Sequence, residues 1–301
     1  MKKYYFSFIL FIFALFSCKN KTASIPMLDT FKSEYSLKGS IFNINDTLGY
    51  PGLIVNTPDY LVLQDKSLKN NFLYKIISKN NGQLIKCFGI KGKGPQEMLT
   101  PISLDYISEN KIGVYDIDRM KYNIFSLDSI IEDSNNNIIR TVSTNFGDEN
   151  KYTRCIKIVL VNNTKLIGIC SHEKGRYAVF EDNGKLNDIL YPDFPYDEDH
   201  KTENYFIKSF AFQYNIKVSP DNSKFCSAAS TCTHLEIFDI TRNSIEKRFD
   251  KLFNLPSYKN VSTDKMKGVA FLEDSQSGFN YINVTNDFIY VSYASEKVKY
   301  M

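Results

Sequence analysis

The 301-residue chain has no tryptophan, only three histidines and no Cys-x-x-Cys pair. His172, His200 and His234 are too scattered to join the cysteines, which argues against a structural zinc site. No G-x-S-x-G elbow, H-E-x-x-H helix or G-x-x-x-x-G-K-[ST] loop occurs, so nothing marks a serine hydrolase, a zinc protease or a P-loop enzyme. A surplus of one charge is also missing, since 37 Lys plus Arg face 34 Asp plus Glu. Loss of Lys2 and Lys3 by the cleavage argued below brings the formal charge down from +3 to about +1. Such a chain lacks the basic excess that nucleic-acid binding needs.

What is present begins at the start. Lys2 and Lys3 precede a 14-residue uncharged run, Tyr4 to Ser17, which is too short to span a bilayer and has the flanks of a secretory signal peptide. Leu15, Phe16, Ser17 and Cys18 resemble a bacterial lipobox, with Phe16 bulkier than the usual residue there. The expected organisation is a signal peptide over 1–17, a lipidated N-terminus and tether over 18–36, and one domain over 37–301. Cys18 is the expected lipidation site. Acyl chains on it would bury methylenes worth roughly 0.8 kcal/mol each, enough to hold a globular body on a membrane face. Lys19, not Asp, follows the cysteine, so nothing marks retention at an inner membrane. The expectation is an outer-membrane lipoprotein of the cell envelope, facing the periplasm or the surface, with the membrane as one partner.

Five cysteines remain, Cys87, Cys155, Cys170, Cys226 and Cys232, an odd number that leaves at least one outside any internal disulfide. A hairpin turning near Asn163 opposes 155 to 171 and 170 to 156, which places the Cys155 and Cys170 sulfurs on opposite faces. A one-residue change of register would reverse that. Cys226 falls mid-strand and Cys232 in the following loop. The thiols read mainly as small buried hydrophobes.

From about residue 40 onward, short runs rich in Ile, Val, Tyr and Phe alternate with Asn, Asp, Gly and Ser, and no helical period persists, so the fold class is all-β. A polar turn followed by a strand recurs with equivalent points at Tyr60, Lys111, Lys165, Lys224 and Phe288, spaced by 51, 54, 59 and 64 residues. After each of the first four turns comes a second run, starting near Leu73, Tyr122, Tyr177 and Leu235, and then another at 84–88, 137–142, 185–190 and 244–249. Four strands per unit of this length is the arithmetic of a β-propeller built from four-stranded antiparallel blades. A β-sandwich of this size would need about 15 strands without such a repeat.

Gly89, Gly92, Gly94, Pro95, Glu97 and Met98 after the first unit, and Val218 to Phe225 followed by Leu235 to Ile240, resemble the TolB-like six-bladed β-propeller lipoproteins of Bacteroidetes. The resemblance covers residues 18 to about 295 and implies the fold and an envelope location. Function is left open by it, since propellers host unrelated activities. One departure stands out. Counting by the repeat gives four units and a fifth that stops past its second strand at 291–301, whereas the family continues through a sixth blade. The reading is an incomplete six-bladed type, from a truncated gene product, with dimerisation or another closure as the alternatives. Tyr35 to Asp46 is the candidate N-terminal strand of a closing blade.

Three places invite chemistry. Gly89, Gly92 and Gly94, with Lys91 and Lys93, could cradle an anion on backbone amides; the competing reading is a tight interblade loop with glycine at positive φ, Pro95 fixing the exit and Glu97 bonded to loop amides. Glu97 is the residue there to watch, near the central channel. Asp193 to Glu203 holds several carboxylates and His200, hard ligands suited to Ca2+, but without the ordered spacing of a calcium loop; a solvated loop between the third and fourth blades is preferred. Asp116 and Asp118 share a strand face, and are expected to cap a turn and pair with Arg119. No cofactor other than this Ca2+ is suggested.

These observations favour an exported, membrane-anchored binding or interaction module whose further partner is a protein or carbohydrate. The alternative is a metal-dependent, lactonase-like hydrolase with axial carboxylate ligands, as other six-bladed propellers have. Asp, Glu, Asn or His side chains converging on the axis from three or more blades would favour the enzyme. A contiguous aromatic patch on one rim would favour binding.

Overall fold

The computed structural model describes residues 36, 38–67, 71–134, 137–147, 153–195, 204–242, 244–263 and 266–293. The signal peptide, Cys18, nearly all of the tether, residues 196–203 of the acidic stretch and residues 294–301 lie outside the described residues. The chain divides into two compact units, Met1–Ser40 and Ile41–Met301, and the second holds every described element.

Four four-stranded antiparallel meanders follow one another. The first is β1 (Pro51–Asn56), β2 (Tyr60–Asp65), β3 (Phe72–Ser78) and β4 (Leu84–Ile90). The second is β5 (Pro101–Ser108), β6 (Lys111–Asp116), β7 (Lys121–Ser126) and β8 (Ile138–Ser143). The third is β9 (Cys155–Val161), β10 (Lys165–His172), β11 (Gly175–Phe180) and β12 (Leu186–Leu190). The fourth is β13 (Tyr214–Val218), β14 (Lys224–Ala229), β15 (Thr233–Ile240) and β16 (Ile245–Asn254). Two hairpins follow, β17 (Tyr258–Asn260) with β18 (Val269–Phe271), and β19 (Phe279–Val284) with β20 (Ile289–Tyr293). The repeat points Tyr60, Lys111, Lys165 and Lys224 are the first residues of β2, β6, β10 and β14.

The β17–β18 hairpin has no counterpart in the repeat, and its insertion stretches the last spacing to 64 residues. Two short helices also interrupt the β pattern. In α1 (Leu127–Ile131) the Ser126 hydroxyl accepts from the Ser129 amide, and in α2 (Tyr205–Ala211) the Asn204 side chain accepts from the Ile207 amide. Both are capped single segments too short to show a period.

Packing explains why the inner strands read as unbroken apolar runs. Ile112 and Val114 of β6 join Val62, Tyr74 and Phe88 of the first blade in one core, while Tyr115 turns the other way to meet Ile158 and Phe180 of the third. Val159 and Ile167 of the third blade meet Ile216, Phe225 and Phe238 of the fourth. Each central strand is therefore buried on both faces, and each side chain so enclosed contributes about 1.5–3 kcal/mol. Strands β1, β5, β9, β13 and β19 lie against one another in sequence and form the inner wall.

A buried aspartate at the end of the second strand ties each of the first two blades to its entry segment. Asp65 accepts from the Gly49 and Tyr50 amides, just before β1, and Asp116 from the Leu99 and Thr100 amides, just before β5. Asp116 also accepts from the amides of Asp118 and Arg119, so the expected turn cap is present. The Arg119 guanidinium, however, donates to the Gly92 carbonyl at 3.3 Å instead of pairing with Asp116 or Asp118. Burial pushes the Asp65 carboxyl up, but the amides of Tyr50, Ser67 and Gly49 outweigh it and hold the group well below the usual carboxylate range.

Two further expectations are corrected. The described part of 35–46 forms no strand; the Asn45 amide donates to the Gly82 carbonyl, and Asp46 pairs with Lys75 at 2.7 Å, which fastens the segment to the first blade. Cys170 stands opposite Cys155, on the same core face, because a bulge between Ile169 and Cys170 shifts the register by one residue. None of the five body cysteines is in a disulfide.

Candidate functional site

The glycine loop runs from the outermost strand of the first blade to the innermost strand of the second, and it satisfies itself. Gly94 donates its amide to Glu97 Oε2 at 2.6 Å, and the Gly92 amide goes to the Met98 carbonyl at 3.0 Å. A Cβ on Gly92 would stand 2.1 Å from Glu97 Oε2, so that glycine makes room for the carboxylate. Of the three loop glycines only Gly89 has positive φ, at +72°, where an added Cβ would meet Met98 and Tyr74. The amides of Lys91, Gly92 and Gly94 are occupied, and Glu97 is bonded to its own loop with Pro95 at the turn before it.

A different group gathers on the inner wall. Asp105 of β5, Lys157 of β9, and Asn215 and Lys217 of β13 come from three consecutive blades. Lys217 forms an ion pair with Asp105, and Lys157 donates to Asn215 Oδ1 at 3.3 Å. Asp105 is only 6% exposed, and its Oδ2 has no partner among the described residues. Burial pushes the Lys157 ammonium down, Asp105 pulls it back and Lys217 pushes it further, leaving it at about 8. The group thus brings two oxygen-bearing side chains together with two ammoniums. It falls short of the three-blade oxygen or nitrogen set of an axial metal centre, and like charge at the lysines would repel a divalent cation.

The most heavily charged interior lies between the third and fourth blades. Arg176 of β11, 1% exposed, forms two parallel 2.7 Å hydrogen bonds to Glu236 of β15. Tyr177 donates to the same carboxylate at 2.8 Å, and Lys247 reaches it at 2.9 Å. Asp250 pairs with Lys247 at 2.7 Å and with His234 Nε2 at 2.7 Å; His234 Nδ1 meets the Tyr214 hydroxyl at 2.7 Å. Asp250 can only accept, so Nε2 carries the proton and Nδ1 accepts from Tyr214. Burial holds the His234 imidazole below its ordinary value, consistent with this neutral form. Burial also pushes Glu236 up, but Arg176 outweighs it and brings the carboxyl down to about 2.

The register makes this packing work. Tyr214 stands opposite Ala229, and Ile216, Ser227, Glu236 and Asp250 lie in one row across the fourth blade. Small Ala229 and Ser227 on the strand between leave depth for the Arg176 guanidinium, which sits 5.1 to 5.4 Å from the rings of Tyr177, Phe194 and Tyr214. His234, Glu236 and Asp250 bring ligand atoms within 4.8 Å of one another. Arg176 and Lys247 already neutralise both carboxylates, so a cation would have to displace an ammonium. The network is an interblade brace. Sequence reasoning passed it by, although Arg176 and Glu236 are charges set inside apolar strands, which is itself a signal that each needs a buried partner.

Exposed aromatics concentrate on the β19–β20 hairpin, where Tyr281, Phe288 and Tyr290 are 77%, 64% and 56% exposed. Phe288 closes the turn between the two strands, where the Thr285 amide donates to its carbonyl, and Tyr290 stands opposite Asn283 on β19. No helix among the described residues is long and apolar enough to cross a membrane.

The family described as TolB-like 6-blade propeller-like matches residues 30–301. No curated protein matches the chain. Among solved structures, it is similar to a protein of Bacteroides fragilis classed as exported, at 12% identity and a TM-score of 0.45, over 70% of this chain and 53% of that one. It is also similar to a duf4221-family member of Bacteroides vulgatus, at 12% identity and a TM-score of 0.43, over 68% of this chain and 61% of that one. A third, from Bacteroides uniformis and assigned as a 6-phosphogluconolactonase, shows 14% identity and a TM-score of 0.41, over 68% of this chain and 56% of that one. The chain spans between half and two thirds of the length of these structures.

Proposed function

The chain belongs to the TolB-like six-bladed propeller-like family, and on that footing we propose that it is an exported, lipid-anchored binding module of the cell envelope, not a metal-dependent hydrolase. The observation that supports this reading is the inner-wall group of Asp105, Lys157, Asn215 and Lys217. A propeller hydrolase with an axial metal needs several hard oxygen or nitrogen ligands aimed at one point. Here two ammoniums occupy that region and one carboxylate is already paired. Such a wall suits a ligand recognised by charge and hydrogen bonding.

The anchor belongs to the same reading. Lys2, Lys3, the apolar run to Ser17 and Cys18 supply the export and acylation signals, and Cys18 is the atom-level tether. The test is hydrolysis of a set of sugar lactones by the full chain with and without Ca2+. The binding reading expects no turnover above the uncatalysed rate in either case. Calcium-dependent turnover abolished by Asp105→Asn would establish the hydrolase instead.

A further inference from the structure

We propose that the inner wall holds a hydroxylated monocarboxylate, a sugar acid, with its carboxylate between Lys157 and Lys217 and a hydroxyl donated to Asp105. The inference rests on the binding reading above and names its ligand class.

Each of the two ammoniums has three donors, and each uses one among the described residues, Lys157 toward Asn215 and Lys217 toward Asp105. Four N–H donors on two neighbouring strands therefore remain for a common acceptor. The charge count selects the acceptor's valence. Two ammoniums against one carboxylate leave a single positive charge, which a carboxylate neutralises and a phosphate dianion overshoots. Asp105 supplies the other half of recognition. Its Oδ1 is taken by Lys217, while Oδ2 is buried and unpartnered, and a buried acceptor without a donor costs about 1–3 kcal/mol. An ionised carboxylate oxygen can only accept, so the missing group is a donor, and a ligand hydroxyl adjacent to the carboxylate fits. A neutral sugar would satisfy Asp105 alone, and a simple carboxylate the lysines alone.

Proton linkage gives a signature that a merely structural role would not produce. The Lys157 ammonium is held down to about 8 by burial and by Lys217. A carboxylate placed beside it favours the charged form, so binding above pH 8 draws a proton onto Lys157 Nζ from the buffer. Nothing else changes hands.

The experiment is isothermal titration of the full chain in detergent with galacturonate at pH 8.5, in two buffers of different ionisation enthalpy. Galactose and acetate serve as the single-feature probes. Galacturonate should bind with net proton uptake, and each of the other two should bind about tenfold more weakly or worse. Lys157→Met removes no ion pair, so it should keep the wild-type melting temperature, weaken galacturonate about tenfold or more, and abolish the proton uptake. Asp105→Asn frees Lys217 of its ion pair, so it should tighten acetate and erase the preference for galacturonate over acetate. Galacturonate binding that is absent, or unaltered in Lys157→Met, would overturn the inference, as would equal affinity for acetate. None of these failures touches the binding reading, which falls to a metal response, as turnover that needs Ca2+ or a melting transition that Ca2+ raises.

Discussion

Arg176 and Glu236 meet across the boundary between the third and fourth blades through two 2.7 Å hydrogen bonds, with both side chains almost completely withdrawn from solvent. The pair joins two sheets that also meet through an apolar core, and it fixes their rotation as well as their distance. Two forked groups satisfy each other in one orientation only.

Removing one partner strands the other. Glu236→Ala should lower stability by about 3–5 kcal/mol, because it leaves the Arg176 charge buried beside Tyr177 and Tyr214. The double variant Arg176→Met with Glu236→Leu should recover much of that loss. Urea unfolding of the three proteins checks it, and a double variant less stable than Glu236→Ala would show that the pair is not coupled.

Acid should unfold the brace. In the folded chain the Glu236 carboxyl lies at about 2, against an ordinary value of 4.5. The folded value is the lower one, so the contribution is complete above about pH 4.5 and fades as pH falls toward 2, a change on the order of 3 kcal/mol. Asp65 acts in the same direction. Melting temperature measured from pH 6 to 2 should fall through that window, and less steeply in Glu236→Gln.

Thiol chemistry should be quiet in the native state. Burial pushes Cys170 and Cys226 up to about 12 and raises Cys155 and Cys232 as well, so none of the four supplies thiolate near neutrality. Titration with an aromatic disulfide reagent should modify at most one body thiol in the native protein and all five in urea. Four fast native thiols would contradict the burial.

The anchor is tested by fractionation. Cys18→Ala should move the protein from the membrane to the soluble fraction, and metabolic labelling with a fatty acid should be lost. A variant that stays acylated would exclude Cys18 as the site.

Blade boundaries were legible because turns advertise themselves chemically. Asn110, Asn163 and Asn222, at the turns before β6, β10 and β14, adopt φ of 56°, 56° and 58°, a region that asparagine tolerates better than most residues. The turn cap at Asp116 was legible too, though its second role as an entry brace, shared with Asp65, needed the amides of the preceding segment. Long-range choices were not visible. A single bulge before Cys170 reversed the face of that thiol, and the partners of Asp105 lie 112 residues away on β13 and on β9 between. The brace was missed because Arg176 and Glu236 stand 60 residues apart in different repeat units, each looking alone like an interruption of an apolar strand.

The most direct measurement is a melting scan of the full chain alone, with Ca2+ and with galacturonate. The binding account predicts one cooperative transition, unmoved by Ca2+ and raised by galacturonate with the logarithm of its concentration above Kd. A transition raised by Ca2+ would contradict the binding account and return the axial metal centre to first place, whereas indifference to galacturonate alone would overturn only the sugar-acid ligand.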